Sequence, residues 1–211
     1  MFKKFFKTVL FPILIIIFFI TYVLMALHIF KENKQEELID IETEELIKAV
    51  ELIEENPLTE EEVKWIERYE EYPNATIVWK TLKDKGYNDF VTAGILGNMM
   101  VECGGNSLNL DSTIYSKDKF YYGICQWNKR YYPEVFDMDL EFQLNFLFTN
   151  IKYEIDRYGF YYKKDFNFEQ FLEIDNEQTA ALAFAKSYER CSSRSYGRRE
   201  YCASLALEYF S

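Results

Sequence analysis

Glu102 is the only acidic residue in "GILGNMMVECGGN", residues 94–106, and it stands where an apolar helix must stop before a glycine pair. With Met99, Met100, Val101 and Cys103 as neighbours, its carboxyl is a candidate for partial desolvation, which keeps a carboxyl protonated as a general acid. The same position also fits a solvated glutamate, and the negative end of a helix dipole disfavours an anion there. Other chemistries fall away. The one histidine, His28, closes an apolar N-terminal run, so neither a Ser-His-Asp triad nor a Cys-His pair can be assembled. Cys103, Cys125, Cys191 and Cys202 show no C-x-x-C spacing, H-E-x-x-H is absent, and no glycine-rich loop follows a strand. Neither a metal nor a cofactor is therefore expected. Carboxylate chemistry remains.

The elements that must carry Glu102 follow from periodicity. "NDFVTAGILGNMMVEC" reads as a helix with Phe90, Val91, Ile95, Leu96 and Met99 apolar. Gly94 and Gly97 each cost about 1 kcal/mol in a helix relative to alanine, which implies the close approach of something bulky. "NATIVWKTLKDKG" precedes it, with Asn74 as expected cap, Ile77, Val78, Trp79 and Leu82 as expected core, and an end at Gly86. The turn-rich, aromatic stretch from Gly104 to Trp127 reads as loops around a short hairpin. "LEFQLNFLFTNIKYEIDRYG", "EQTAALAFAKSYER" and "RREYCASLALEYF" read as three more amphipathic helices.

Upstream, Thr8 to Phe30 carries no formal charge and at helical rise reaches about 35 Å, enough to span a bilayer. No small-residue cleavage site follows, so an uncleaved signal anchor is expected. Lys3, Lys4 and Lys7 precede the segment, which predicts the N-terminus inside and the C-terminal bulk outside the cell membrane. Acidic residues then alternate with Leu38, Ile41, Leu46, Val50 and Ile53, a stalk helix ending near Pro57. A second acidic helix starts at a capping box of Thr59 and Glu62 and stops before Pro73. The organisation read from the chain is a tail (1–7), a transmembrane anchor (8–30), an acidic helical stalk (31–72) and a domain (73–211). A net charge of −11 disfavours nucleic acid as a partner. In an exported domain the four cysteines could form disulfides, Cys191 with Cys202 closing the shortest loop, or could pack as four buried thiols.

Taken together, "VTAGILGNMMVECGGN", "YYGICQW", "LEFQLNFL" and "ALAFAKSYER" resemble the phage tail lysozyme family, a branch of the lysozyme-like superfamily that cleaves peptidoglycan. The resemblance covers about residues 76 to 210. It implies an α+β, mainly α, lysozyme-like domain with a small hairpin, acting as a lysozyme or a lytic transglycosylase. By it, Glu102 is the catalytic acid, Gln126 lines the cleft, and Tyr188 and Glu189 match the family's Y-E pair as substrate-binding residues. Cys103 stands where the family usually has Ser, and Cys191 where Pro often follows E-R. Asp111, nine residues after Glu102, is the expected second carboxylate, with Asp118 as its alternative. Trp127 and Tyr122, from the aromatic cluster that includes Tyr121, Tyr131 and Tyr132, are expected to present ring faces to sugar. The partners implied are peptidoglycan, the membrane through residues 8–30, and a protein machine of secretion, conjugation or phage origin. A silent wall-binding protein keeping the fold is the competing expectation.

Overall fold

The computed structural model describes residues 57–211, so the tail, the apolar segment 8–30 and the first stalk helix lie outside the described residues. Among the described residues, no helix is long and apolar enough to cross a membrane. The first helix, α1 (Glu60–Glu71), opens with Glu60, Glu61 and Glu62, where the positive end of the helix dipole favours carboxylates. It packs at its far end. Trp65 lies 6.3 Å from the Phe210 ring, the Arg68 guanidinium stands over both rings, and Tyr209 donates to Glu71 Oε2 at 2.9 Å. The compact unit accordingly runs from Glu60 to Ser211 and takes in the second of the acidic helices assigned to the stalk.

Pro73 fixes the first position of α2 (Pro73–Asp84), where its missing N–H costs nothing. Asn74, expected as the cap, instead donates through Nδ2 to Leu110 O at 2.8 Å and ties the loop around Leu110 to α2. Of the expected core stripe, Val78, Trp79 and Leu82 are buried and Ile77 is half-buried. Trp79 stacks on Phe210 at 4.7 Å.

The next helix, α3 (Asp89–Cys103), is apolar on nearly every side and is buried on nearly every side from Val91 to Met100, as a core helix must be. Asn88 caps it, accepting from Val91 N at 2.8 Å. A Cβ at Gly94 would stand 2.6 Å from Ala181 N, and one at Gly97 would stand 2.5 Å from Ala203 N. What approaches the two glycines is therefore not a bulky side chain but the backbones of α6 (Glu177–Phe184) and α7 (Tyr196–Phe210). Gly97→Ala should cost about 1–3 kcal/mol through overpacking, beyond what alanine gains in helix propensity. Urea unfolding that shows a lowered midpoint with an unchanged slope will register it.

Two short strands, β1 (Tyr121–Tyr122) and β2 (Trp127–Asn128), pair antiparallel with Tyr122 opposite Trp127. A hairpin this short is not stable alone, and α4 (Leu140–Tyr158) supplies its support through buried Gln143. Gln143 Oε1 accepts from Ile124 N at 2.9 Å, while Nε2 donates to Ser112 O at 2.8 Å and Met138 O at 2.7 Å. Gly123, at φ +78°, sits so close to that amide that any Cβ would collide with it. A five-residue helix, α5 (Phe168–Leu172), is closed by a capping box between Asn167 and Gln170 and buries Phe171 against Phe184. Helices around α3 with one small hairpin make the α+β, mainly α, class expected from the sequence.

Candidate active site

Glu102 projects from the last turn of α3, on the same face as Asn98 one turn earlier. Behind them lies Arg199 of α7, its side chain 3% exposed. Each of its three nitrogens donates a hydrogen bond. Nε donates to Ser195 Oγ at 3.2 Å, Nη1 to Asn98 Oδ1 at 2.7 Å, and Nη2 to Glu102 Oε1. Asn98 is fixed in turn by donating to Gly94 O and Ala181 O. Only Oε1 of Glu102 is taken, and its side chain keeps 19% exposure. The chain leaves the helix through Gly105, at φ +60°, with Asn106 N reaching back to Met100 O at 2.9 Å. Glycine supplies that left-handed step without strain.

Glu189 comes from the other side. Beyond α6 the chain widens into one π turn, Ala185–Glu189, and then breaks at Arg190 in the left-handed region, φ 52°. Such turns recur at functional sites because the extra residue re-aims a side chain. Glu189 Oε1 is shut off from solvent and has no hydrogen-bond partner among the described residues. Burial, reinforced by the negative charge of Glu102, pushes the Glu189 carboxyl up to about 8. The adjacent pair, Arg190 and Glu154, is separate: Arg190 Nη1 meets Glu154 Oε2 at 2.5 Å, and Tyr132 donates to Glu154 Oε1 at 3.2 Å.

Glu189 lines a pocket of ≈ 340 Å³ together with Tyr121, Gln126, Trp127, Tyr131 and Tyr188. Gln126, Trp127, Tyr188 and Glu189 are thus brought together as expected, though their side chains do structural work as well. The Gln126 amide donates to Gly123 O at 3.0 Å and closes the hairpin, and the residue sits at φ 45°. Trp127 is buried and donates from Nε1 to Tyr188 Oη at 3.2 Å. Tyr122 is not brought together with the other expected sugar-binding residues. It does not line the pocket but is buried against Tyr115 and Phe136 and donates to Met138 O. Strand alternation explains this, because Tyr121 and Tyr122 face opposite ways and it is Tyr121 that is exposed.

Asp111 is held close to the end of α3, its N–H donating to Cys103 O at 3.0 Å. Its carboxylate faces solvent and closes a turn, accepting from Thr113 N at 2.9 Å and Thr113 Oγ1 at 2.7 Å. Asp118 is likewise a turn residue, accepting from Ser116 and from Phe120 N, and these bonds hold it below the usual carboxylate range.

Of the two alternatives for the cysteines, the structure holds free thiols: all four are unbridged, Cys191 and Cys202 included. Cys202 lies wholly inside on the core face of α7 beside Ala203 and Ala206. Cys191, half-buried, directs its sulfur to Ala185 O at 3.6 Å instead. Burial raises every thiol, Cys103 to about 12, which leaves no thiolate at neutral pH to act as a nucleophile.

Arg199 and Asn98 escaped notice in the sequence. The signal was there in α7: Arg199, Cys202, Ala203, Ala206 and Phe210 form one buried stripe, and an arginine on a core stripe demands an anionic partner. Glu154 announces Arg190 in the same way, lying among buried Leu147, Ile151 and Ile155 on α4. The family model described as phage tail lysozyme matches residues 73–210. No curated protein and no solved structure matches the chain.

Proposed function

Since the chain belongs to the phage tail lysozyme family, we propose that it cuts the glycan strands of peptidoglycan with Glu102 as the general acid. The observation that carries this is the mounting of Glu102: one oxygen bonded to Arg199, the other without a protein partner among the described residues, at the end of the buried central helix. Glu102 lies close enough to act electrostatically on Cys125 and Glu189, both of which line the ring-walled pocket. Tyrosine and tryptophan faces suit the apolar faces of sugar rings.

In the reaction, the Glu102 carboxyl gives its proton to the glycosidic oxygen as the bond from that oxygen to the anomeric carbon breaks, its electron pair passing to the oxygen. Water adding to the anomeric carbon returns a proton to Glu102 and leaves a reducing end. Attack by the sugar's own 6-hydroxyl on the anomeric carbon instead passes that hydroxyl's proton to Glu102 and leaves a 1,6-anhydro end. In this reading, the apolar segment 8–30 anchors the chain in the cell membrane and the domain faces the wall.

Purified chain incubated with peptidoglycan should release muropeptides, whose masses identify the new end as reducing or anhydro. A chain that binds glycan and never cuts it would overturn the proposal in favour of a silent wall-binding protein. Asp111→Asn preserves the acceptor oxygen for Thr113 and should change turnover by less than about threefold, because this carboxylate serves the turn. A catalytic second carboxylate at that position would cost about 10²-fold or more.

A further inference from the structure

A second cavity, of ≈ 320 Å³, is lined by Tyr161, Lys186, Arg190, Cys191 and Tyr196. Its size is at the low end of ligand pockets, and its charge is the reverse of the first. The ring-walled pocket carries the carboxyls of Glu154 and Glu189, whereas no acid among the described residues lines this one. The local sequence agrees: residues 186–199 hold Lys186, Arg190, Arg194, Arg198 and Arg199 against Glu189 alone, in a chain of 24 basic and 35 acidic residues. Two of these cations are already balanced, Arg199 by Glu102 and Arg190 by Glu154. Lys186, half-buried in the π turn, forms no ion pair among the described residues. Its Nζ stands 5.8 Å from the centre of the Tyr162 ring and 5.4 Å from that of Tyr196. Ring faces attract an ammonium through their quadrupoles but supply no net negative charge. The ammonium is therefore held at the cavity with its charge still open to an anion.

The position of Arg190 narrows the choice of anion. It lines both cavities, so a branch from a sugar in the first reaches the second across one side chain. We propose that the second cavity takes a free carboxylate of the peptides that branch from the glycan strand, with Lys186 as its counter-ion. This rests on the glycosidase reading above and names its substrate class: peptidoglycan whose peptides carry free carboxylates. A phosphate polymer of the wall would satisfy the same ammonium. Being a separate chain, however, it gives no reason for the cavity to adjoin the ring-walled pocket.

The test compares peptidoglycan freed of phosphate polymers with the same material after its peptide carboxyls are converted to amides. Sedimentation on ice measures how much of each wall retains half of the full chain, a readout blind to catalysis. Untreated wall should need about three- to tenfold less material than amidated wall, the worth of one partly exposed, charge-assisted contact. The difference should shrink as salt is raised. Lys186→Met keeps an apolar stem between the rings and loses the charge, so it should erase the difference. Lys186→Arg should keep most of it.

Equal retention of the wild type on both walls, or a difference that Lys186→Met leaves intact, overturns the inference. So does a gain in retention on wall that keeps its phosphate polymers, if that gain survives amidation and is what Lys186→Met removes. Should Lys186→Met fail to fold, Lys186→Gln and the wild-type comparison decide. No muropeptide release from either wall, with the Lys186-dependent difference present, would sink the glycosidase reading and leave the carboxylate site standing. Cleavage of both walls with equal retention would do the reverse.

Discussion

Glu102→Gln should lower turnover on peptidoglycan by about 10²–10⁴-fold, the usual worth of a positioned general acid, while leaving glycan binding within a few-fold. The amide oxygen can still accept from Arg199 Nη2, so the side chain stays in place. What disappears is the acidic proton, together with the negative charge that balances a guanidinium only 3% exposed. A loss of stability of about 1–3 kcal/mol should accompany the change. Turnover must accordingly be expressed per folded molecule, with the folded fraction taken from circular dichroism on the same sample. Full activity in a folded Glu102→Gln protein would remove Glu102 from the mechanism.

Arg199→Met should cost about 3–5 kcal/mol, the range seen when one member of a buried ion pair is removed. The loss has two named sources: Asn98 Oδ1 loses a donor inside the core, and Glu102 loses its counter-ion. Combining Arg199→Met with Glu102→Gln should cost less than the two changes added together, because the double variant leaves no uncompensated charge. Urea unfolding of the four proteins closes the cycle. Additive costs would mean that the pair is not coupled and that Arg199 merely fills space.

The helices were legible in the sequence because burial writes a period into it. For α4, "LEFQLNFLFTNIKYEIDRYG" predicted the boundaries almost to the residue. Boundaries failed where local chemistry served a distant partner, as at Asn74, whose side chain was wanted by Leu110 O rather than by its own helix. The π turn left no mark at all. Nothing in "AKSYE" distinguishes a wide turn from an α turn, since the extra residue is imposed by what surrounds it. In the candidate site, Glu102 drew attention as a lone acid in an apolar run, whereas the buried oxygen of Glu189 that lacks a hydrogen bond depends on neighbours distant in the sequence. Sequence spacing counts residues, not unclaimed hydrogen bonds. The inward turn of Tyr122 was illegible for a simpler reason: alternation along a two-residue strand leaves too little pattern to say which ring faces out.

The tight crossings at Gly94 and Gly97 make α3 a lever as well as a core helix. Glu102 lies eight residues beyond Gly94, about 12 Å along the axis, and five beyond Gly97, about 7.5 Å. With its fulcrum where backbones touch, a tilt of about 5° at the crossing would swing the carboxylate by about 1 Å. A shift of that size can cost about 10²-fold in rate. Changes at the alanines of α6 and α7 that face these glycines, far from any sugar, would then surface as aiming errors: a protein that still melts cooperatively and still grips glycan, but misdirects its proton.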